Sequence, residues 1–377
     1  MSMQSKAAAR CKAALVGAGI GLAVAACGGG GDNNMSNSMA TTPPPVMAST
    51  FNITPLVADR AGVAANTDAH LVNAWGLAFN PTGFAWVADN GTGVSTLYDG
   101  NGVPQTLVVA IPDGTSGPAN PTGIVFNGST DFKVSQNGSS GASAFLFVGE
   151  GGTLSGWSPG VNRTNAVTAV DTGVNGAIYK GLAIASYAGA NYLYAADFRN
   201  ARVDVYNGTF QKVTLPGGSF ADPSLPAGYG PFGIQAIGGK IYVSFAKKAA
   251  SGPDEVHGLG LGYVDVFDPS GAMIRRLVSN GALNAPWGMT MAPANFGTFS
   301  GMLLVGNFGD GRINAYDPNT GAPAGTLGTA AGAPIVIDGL WAIAFGNGVS
   351  NQPTNTLFYT AGPGDEMHGL YGRIDLR

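Results

Sequence analysis

Two of the chain's three histidines stand in nearly the same surroundings, Asp254-Glu255-Val256-His257-Gly258 and Asp365-Glu366-Met367-His368-Gly369. In a Glu-X-His stretch the carboxylate can orient the imidazole and raise its basicity while the second ring nitrogen stays free. Glu255, His257, Glu366 and His368 are therefore the candidate acid–base, catalytic residues. The same residues can also serve a structural end, each carboxylate accepting backbone N–H bonds and each histidine filling a turn beside its glycine. Both readings stand at this point. The third histidine, His70 in "DAHLVNAWG", is read as a packing residue of a loop. No Gly-X-Ser-X-Gly elbow, His-Glu-X-X-His motif or Walker-type phosphate loop occurs in the sequence, so a serine hydrolase, a zinc protease and a P-loop enzyme each lack their working parts.

What must position these groups is a repeat. "NAWGLAF", "NPTGIVF", "YKGLAIA", "GPFGIQA", "APWGMTM" and "DGLWAIAF" open six successive units, with Gly76, Gly123, Gly181, Gly233, Gly288 and Ala342 in one shared slot. Their spacing of 47 to 58 residues suits a propeller blade and exceeds most solenoid repeats. Each unit then carries an aromatic and β-branched strand ("FAWVAD", "YLYAAD", "LLVGN"), a loop, and an alternating strand ("VDVYN", "YVDVFD", "INAYD"), with Asp-Pro-Gly turns after it. Weaker fourth strands follow in several units, as at 105–112 and 210–216. The last unit stops after three strands, whereas "FNITPLVAD" at 51–59 precedes the first. The predicted fold is an all-β, six-bladed β-propeller, closed by the N-terminal strand pairing with the C-terminal blade, which removes two open sheet edges.

Residues 1–26 carry Lys6, Arg10 and Lys12, the apolar run "AALVGAGIGLAVAA" and "VAAC" ending at Cys27. This is the pattern of a lipoprotein signal peptide, with Cys27 as the lipidation site; an ordinary secretory signal cut nearby is the alternative. Residues 27–50, rich in Gly, Asn, Ser and Pro, read as a disordered lipid-anchored tether with a reach of roughly 25–30 Å. The propeller is expected over 51–377. Beyond Cys27 the chain has no cysteine, which leaves neither disulfides nor thiolate metal sites. Removal of 1–26 takes away three basic residues and leaves 15 against 22 acidic ones, so nucleic acid is not an expected partner. Gly28 after Cys27 carries no inner-membrane retention signal, and the expected location is the cell envelope, at the outer membrane facing the periplasm.

"LVNAWGLAFNPTG", "YKGLAIA", "APWGM", "LLVGNFGDGRINAYDPNTG", "IDGLWAIAFGNG" and "EMHGLYGRI" resemble a family of uncharacterised bacterial exported proteins, NHL-like six-bladed propellers covered by a full-length family model. That resemblance implies the fold from about residue 51 onward and no assigned reaction. On a propeller, the loops leading into the innermost strands and those joining second to third strands share one face around the channel. This places both histidine loops there. Trp75, Lys180, Phe232, Trp287 and Trp341 become candidate ligand-binding residues, the aromatics alternatively wedging between blades. Glu150, Asp197 and Asn307 become candidate metal ligands for a divalent cation, Ca²⁺ or Mg²⁺. Two classes stay open. One is a platform anchored in the membrane by its lipid that binds an envelope protein, glycan or small ligand at the channel mouth. The other is a metal-assisted lyase or lactonase, since the Glu-X-His loops are similar to those of streptogramin-type lyases.

Overall fold

The structure, a computed structural model, describes residues 49–377. The expected signal peptide, Cys27 and nearly all of the tether lie outside the described residues. Six sheets account for the six repeats. From the axis outward, blade one comprises Ala74–Phe79, Ala85–Asp89, Val94–Tyr98 and Val109–Ala110. Blade two comprises Pro121–Phe126, Phe145–Gly149, Thr153–Trp157 and Val167–Asp171. Blade three comprises Tyr179–Tyr187, Ala190–Asp197, Arg202–Asn207 and Lys212–Val213. Blade four comprises Tyr229–Ile237, Lys240–Lys248, Tyr263–Phe267 and Met273–Ser279, and its loop strand Glu255–Val256 pairs back onto Lys247 and Lys248. Blade five comprises Pro286–Met291, Leu303–Asn307, Ile313–Tyr316 and Pro323–Thr326.

Blade six is assembled from both ends of the chain. Leu340–Phe345, Leu357–Ala361 and Leu370–Leu376 are followed outward by Phe51–Ala58, antiparallel from Phe51 opposite Leu376 to Ala58 opposite Leu370. The closure expected from the orphan first strand is thus present. Asn66–Thr67 adds a short parallel strand beyond it.

The second strand of each blade is apolar on both faces because both faces are buried. In blade two, Phe145 and Phe147 pack with Trp86 of blade one, whereas Leu146 and Val148 pack with Leu193 and Ala195 of blade three. Period-two geometry sends successive side chains to opposite neighbours, so the ring has one apolar cluster at each seam. The seam that closes it, between blades six and one, holds Phe358, Tyr371, Val87 and Tyr98. The repeated glycine has a steric cause. A Cβ on Gly233 would stand 2.0 Å from the Trp287 carbonyl oxygen, and one on Gly123 would stand 2.4 Å from the Leu182 amide nitrogen. Only glycine lets these innermost strands lie against the backbone of the next blade.

Candidate functional site at the channel mouth

In each blade the loop into the innermost strand is tied to the loop between the second and third strands. Examples are Gly91 N–H to the Val72 carbonyl (3.0 Å), Phe198 N–H to Ile178 (2.9 Å) and Phe308 N–H to Ala285 (3.0 Å). Both loop sets therefore sit on one face, and their polar side chains meet over the axis.

The meeting point is Lys180, the second residue of the innermost strand of blade three. Its side chain is buried, 2 % of the residue being exposed. Its Nζ donates to Glu150 Oε1 of blade two at 2.7 Å and lies 3.8 Å from Glu255 Oε2 of blade four. The third carboxylate, Glu366 of blade six, is joined to this pair through amides. Asn73 Nδ2 donates to Glu366 Oε2 (3.0 Å) and to Asn90 Oδ1 (3.1 Å), and Asn90 Nδ2 donates to Glu150 Oε2 (3.2 Å). Glutamates from alternate blades thus belong to one network around this ammonium, two by direct contact and the third through Asn73 and Asn90. Burial pulls the Lys180 amine down, but Glu150, Glu255 and Glu366 overcome that and hold it above its ordinary value.

Above Lys180 opens a cleft of about 310 Å³ lined by Asp254, Glu255, His257, Phe308, Asp365 and Glu366. His257 stands edge-on to Phe308, with ring centroids 4.9 Å apart. Its Nε2 is 3.6 Å from Glu255 Oε1, long for a hydrogen bond but close for an ion pair. Glu255 raises the His257 imidazole pKa against the effect of partial burial. Burial first, then the Glu255 carboxylate, pushes Glu366 up to about 7, opposed by Lys180. The cleft therefore offers a basic imidazole and a carboxyl that titrates near neutrality.

The two Glu-X-His loops are similar in sequence and different in use. In blade six the glutamate enters the cleft, but His368 Nδ1 contacts Asp59 Oδ2 at 2.8 Å, and Gly369 N–H donates to Asp59 Oδ1 at 3.2 Å. Asp59 follows the closing strand, so His368 acts at ring closure and is not brought together with His257. Asp365 and Glu366 adopt φ of 54° and 65°, a conformation that costs a non-glycine residue energy and persists only where surroundings impose it. Those surroundings are the Asp59 contact, the Asn73 bond to Glu366, and Gly364 N–H donating to Asp338 Oδ2 (2.9 Å).

The remaining candidates fall below the cleft or beside it. Trp75, Phe232 and Trp341 are at most 1 % exposed and have no face open to a ligand. They form a plug in which Trp341 is stacked between Trp75 (3.5 Å) and Phe308 (3.8 Å). Trp287 is half-buried, donates to the Lys180 carbonyl (2.8 Å) and lines the narrow axial channel. The three candidate cation ligands are held by separate partners: Glu150 by Lys180 and Asn90, Asp197 by Arg202 (3.2 Å) and Asn200 (2.8 Å), and Asn307 by Asp310 (3.1 Å) and the Ala282 carbonyl (2.8 Å). Among the described residues, no three His, Cys, Asp or Glu side chains converge as metal ligands. The donor set does not fit a divalent cation, and an ammonium stands between two of the glutamates instead.

Phe308, Asp59 and the bridging role of Asn73 and Asn90 escaped the sequence reading. Phe308 had a signal, since "NFGDG" places it where "DFRNA" places Phe198, another member of the aromatic plug. Asp59 had none, because its partner is 309 residues away.

No family model matches the chain. Two proteins of Acanthamoeba polyphaga mimivirus do resemble it along most of its length. "Uncharacterized protein R648" is 33% identical over 332 residues, covering 86% of this chain and 80% of the viral protein. "Uncharacterized protein L690" is 34% identical over 336 residues, covering 86% of each. The chain belongs to their family. The family is one of uncharacterised proteins, and the fold described here is a six-bladed propeller. Among solved structures, a streptogramin B lyase aligns with a TM-score of 0.50 and 11% identity, over 87% of this chain and 98% of that one. At that identity the likeness concerns the propeller fold alone.

Proposed function

We propose that the chain is an exported, lipid-anchored propeller of the cell envelope that holds a small ligand in the cleft above Lys180. Export and anchoring rest on the signal-like residues 1–26, Cys27 and the tether sequence. The ligand site rests on one observation: glutamates of blades two and four at 2.7 and 3.8 Å from a single buried ammonium, a third from blade six linked to them through Asn73 and Asn90, and an open cleft beside them. A fold gains little from such an assembly, since desolvating several charges costs more than one ion pair returns. The test is a small-molecule screen on the purified protein, read by NMR at the His257 and Phe308 rings. Binders that shift these signals and lose affinity in Glu366→Ala support the reading. A screen whose hits all map elsewhere removes it.

A second reading is favoured by the pairing of His257 with Glu255 opposite Glu366, whose carboxyl titrates near 7. In a lyase-type elimination, His257 would take a proton from carbon and the electron pair would form the new double bond. Glu366 would protonate the departing oxygen. This version needs no metal. His257→Ala should abolish turnover of a cyclic ester while leaving the melting temperature in place; His368→Ala should instead lower the melting temperature, because His368 serves the closure.

A further inference from the structure

The chemistry of the cleft narrows the class of ligand, an inference that rests on reading the cleft as a ligand site. Four carboxylates line it, Asp254, Glu255, Asp365 and Glu366, with Glu150 beneath. Only Lys180 and His257 oppose them there. Lys180 spends its close contact on Glu150 and leaves Glu255 Oε2 at 3.8 Å, beyond hydrogen-bond reach. The Glu255 side chain is 5 % exposed and its Oε2 has no hydrogen-bond partner. A buried carboxylate oxygen without a hydrogen-bond donor is a costly state; the other oxygen, Oε1, lies on the His257 side of the cleft that Glu255 lines. An occupant that donates hydrogen bonds and carries positive charge complements this lining of four carboxylates.

A hard dication suits this poorly, because the Lys180 ammonium already stands between two of the carboxylates and would repel it, and no trio of ligands converges. An organic ammonium suits it well. It has three donors and a carbon skeleton, and Phe308 supplies an apolar wall. The volume of about 310 Å³ holds about ten water-sized groups, which is room for a small amine. We propose that the cleft takes a primary ammonium group, seated between the Glu255 and Glu366 carboxylates with its carbon skeleton against Phe308.

The test titrates the purified protein, at constant chloride, with n-butylammonium, with n-butanol as neutral isostere, with butyrate, and with calcium chloride. Binding is followed at the His257 and Phe308 ring signals. Saturable shifts are expected with n-butylammonium, at an affinity at least about tenfold above that of n-butanol, and about tenfold weaker in Glu255→Gln, the loss of one charge-assisted contact. Glu366→Gln should weaken binding in the same direction, which guards against a fold defect peculiar to one variant. If n-butanol or butyrate binds at these rings as well as the amine does, the ammonium class is wrong while the ligand site stands. Displacement of the amine by calcium at lower concentration assigns the cleft to a metal and overturns the proposal. If no probe moves either ring, the ligand site itself falls with it.

Discussion

Replacing Lys180 by methionine removes the charge at the centre of the site while keeping most of the buried stem. The ammonium sits 2.7 Å from Glu150, 3.8 Å from Glu255 and 4.9 Å from the Trp75 ring centroid. At an effective dielectric near 20 the two carboxylate contacts are worth about 6 and 4 kcal/mol of attraction before desolvation is counted. Burial takes back much of that, and removing one partner of a buried pair leaves a net loss of about 3–5 kcal/mol. Over the 329 residues from 49 to 377 the unfolding entropy is about 0.7 kcal/mol/K, so the melting temperature should fall by about 4–7 °C. Lys180 is held above its ordinary pKa, so its own contribution is complete below the unfolded value near 10 and fades only at higher pH. Any pH dependence of the loss between 5 and 8 must come from the orphaned carboxylates. Of these, Glu366 is the one pushed up, to about 7, so it is largely neutral at pH 5 and charged at pH 8, and the loss should be smaller in acid. Calorimetry of wild type, Lys180→Met, Glu150→Gln and the double variant at both pH values checks this. Glu150→Gln should recover part of the loss in the Lys180→Met background. A fall below about 1 °C at pH 8, or strict additivity of the two substitutions, would show that Lys180 does not organise the site.

Glu366 is raised in the folded protein to about 7 from about 4.3 unfolded. It therefore lowers stability as pH climbs through that window, and Glu366→Gln should be near neutral at pH 4 and stabilising by up to about 3 kcal/mol at pH 8, measured by denaturant titration. The His257 ring should titrate above 6.5 by NMR and move down in Glu255→Gln, because Glu255 is the principal cause of its raised value; an unchanged midpoint would refute that pairing. Asp59→Ala should cost about 1–2 kcal/mol and speed amide exchange across Phe51–Ala58, since the contact it removes is with His368. Gly233→Ala should cost about 3 kcal/mol or more by thermal melt, as its Cβ would stand 2.0 Å from the Trp287 carbonyl oxygen.

The ring was legible because its physics is repetitive. A glycine in the same slot of five blades, a doubly apolar second strand in all six and glycine-bearing turns after the third strand recur along the chain, and an unpaired first strand beside an incomplete last blade leaves closure as the economical solution. The common face of the two histidine loops followed from that topology. What did not follow was the direction of each side chain. Asp-Glu-X-His is the same string in blades four and six, yet His257 turns into the cleft and His368 turns to Asp59. Nor did composition show that Lys180, a residue type seldom buried, would sit under the cleft between glutamates from two other blades, or that Trp75 and Trp341 would be sealed beneath it.

The divergence of the two loops has one structural source. Blade six borrows its outer strand from the start of the chain, and the residue after that strand is Asp59. A carboxylate is thereby delivered to His368 that blade four has no means of supplying, and His257 stays in the cleft with Glu255 as its principal partner. The borrowed strand also helps impose the left-handed conformation of Asp365 and Glu366, which stores about 1–3 kcal/mol per residue. Closure and site are neighbours in one loop: the ladder from Phe51 to Ala58 seals the ring, its Asp59 holds His368, and two residues before it Glu366 is held at the cleft by Asn73. Loosening the first strand should release that strain and withdraw one of the three glutamates from around Lys180, so a perturbation at the rim of blade six reaches the axis through a single hydrogen-bonded histidine.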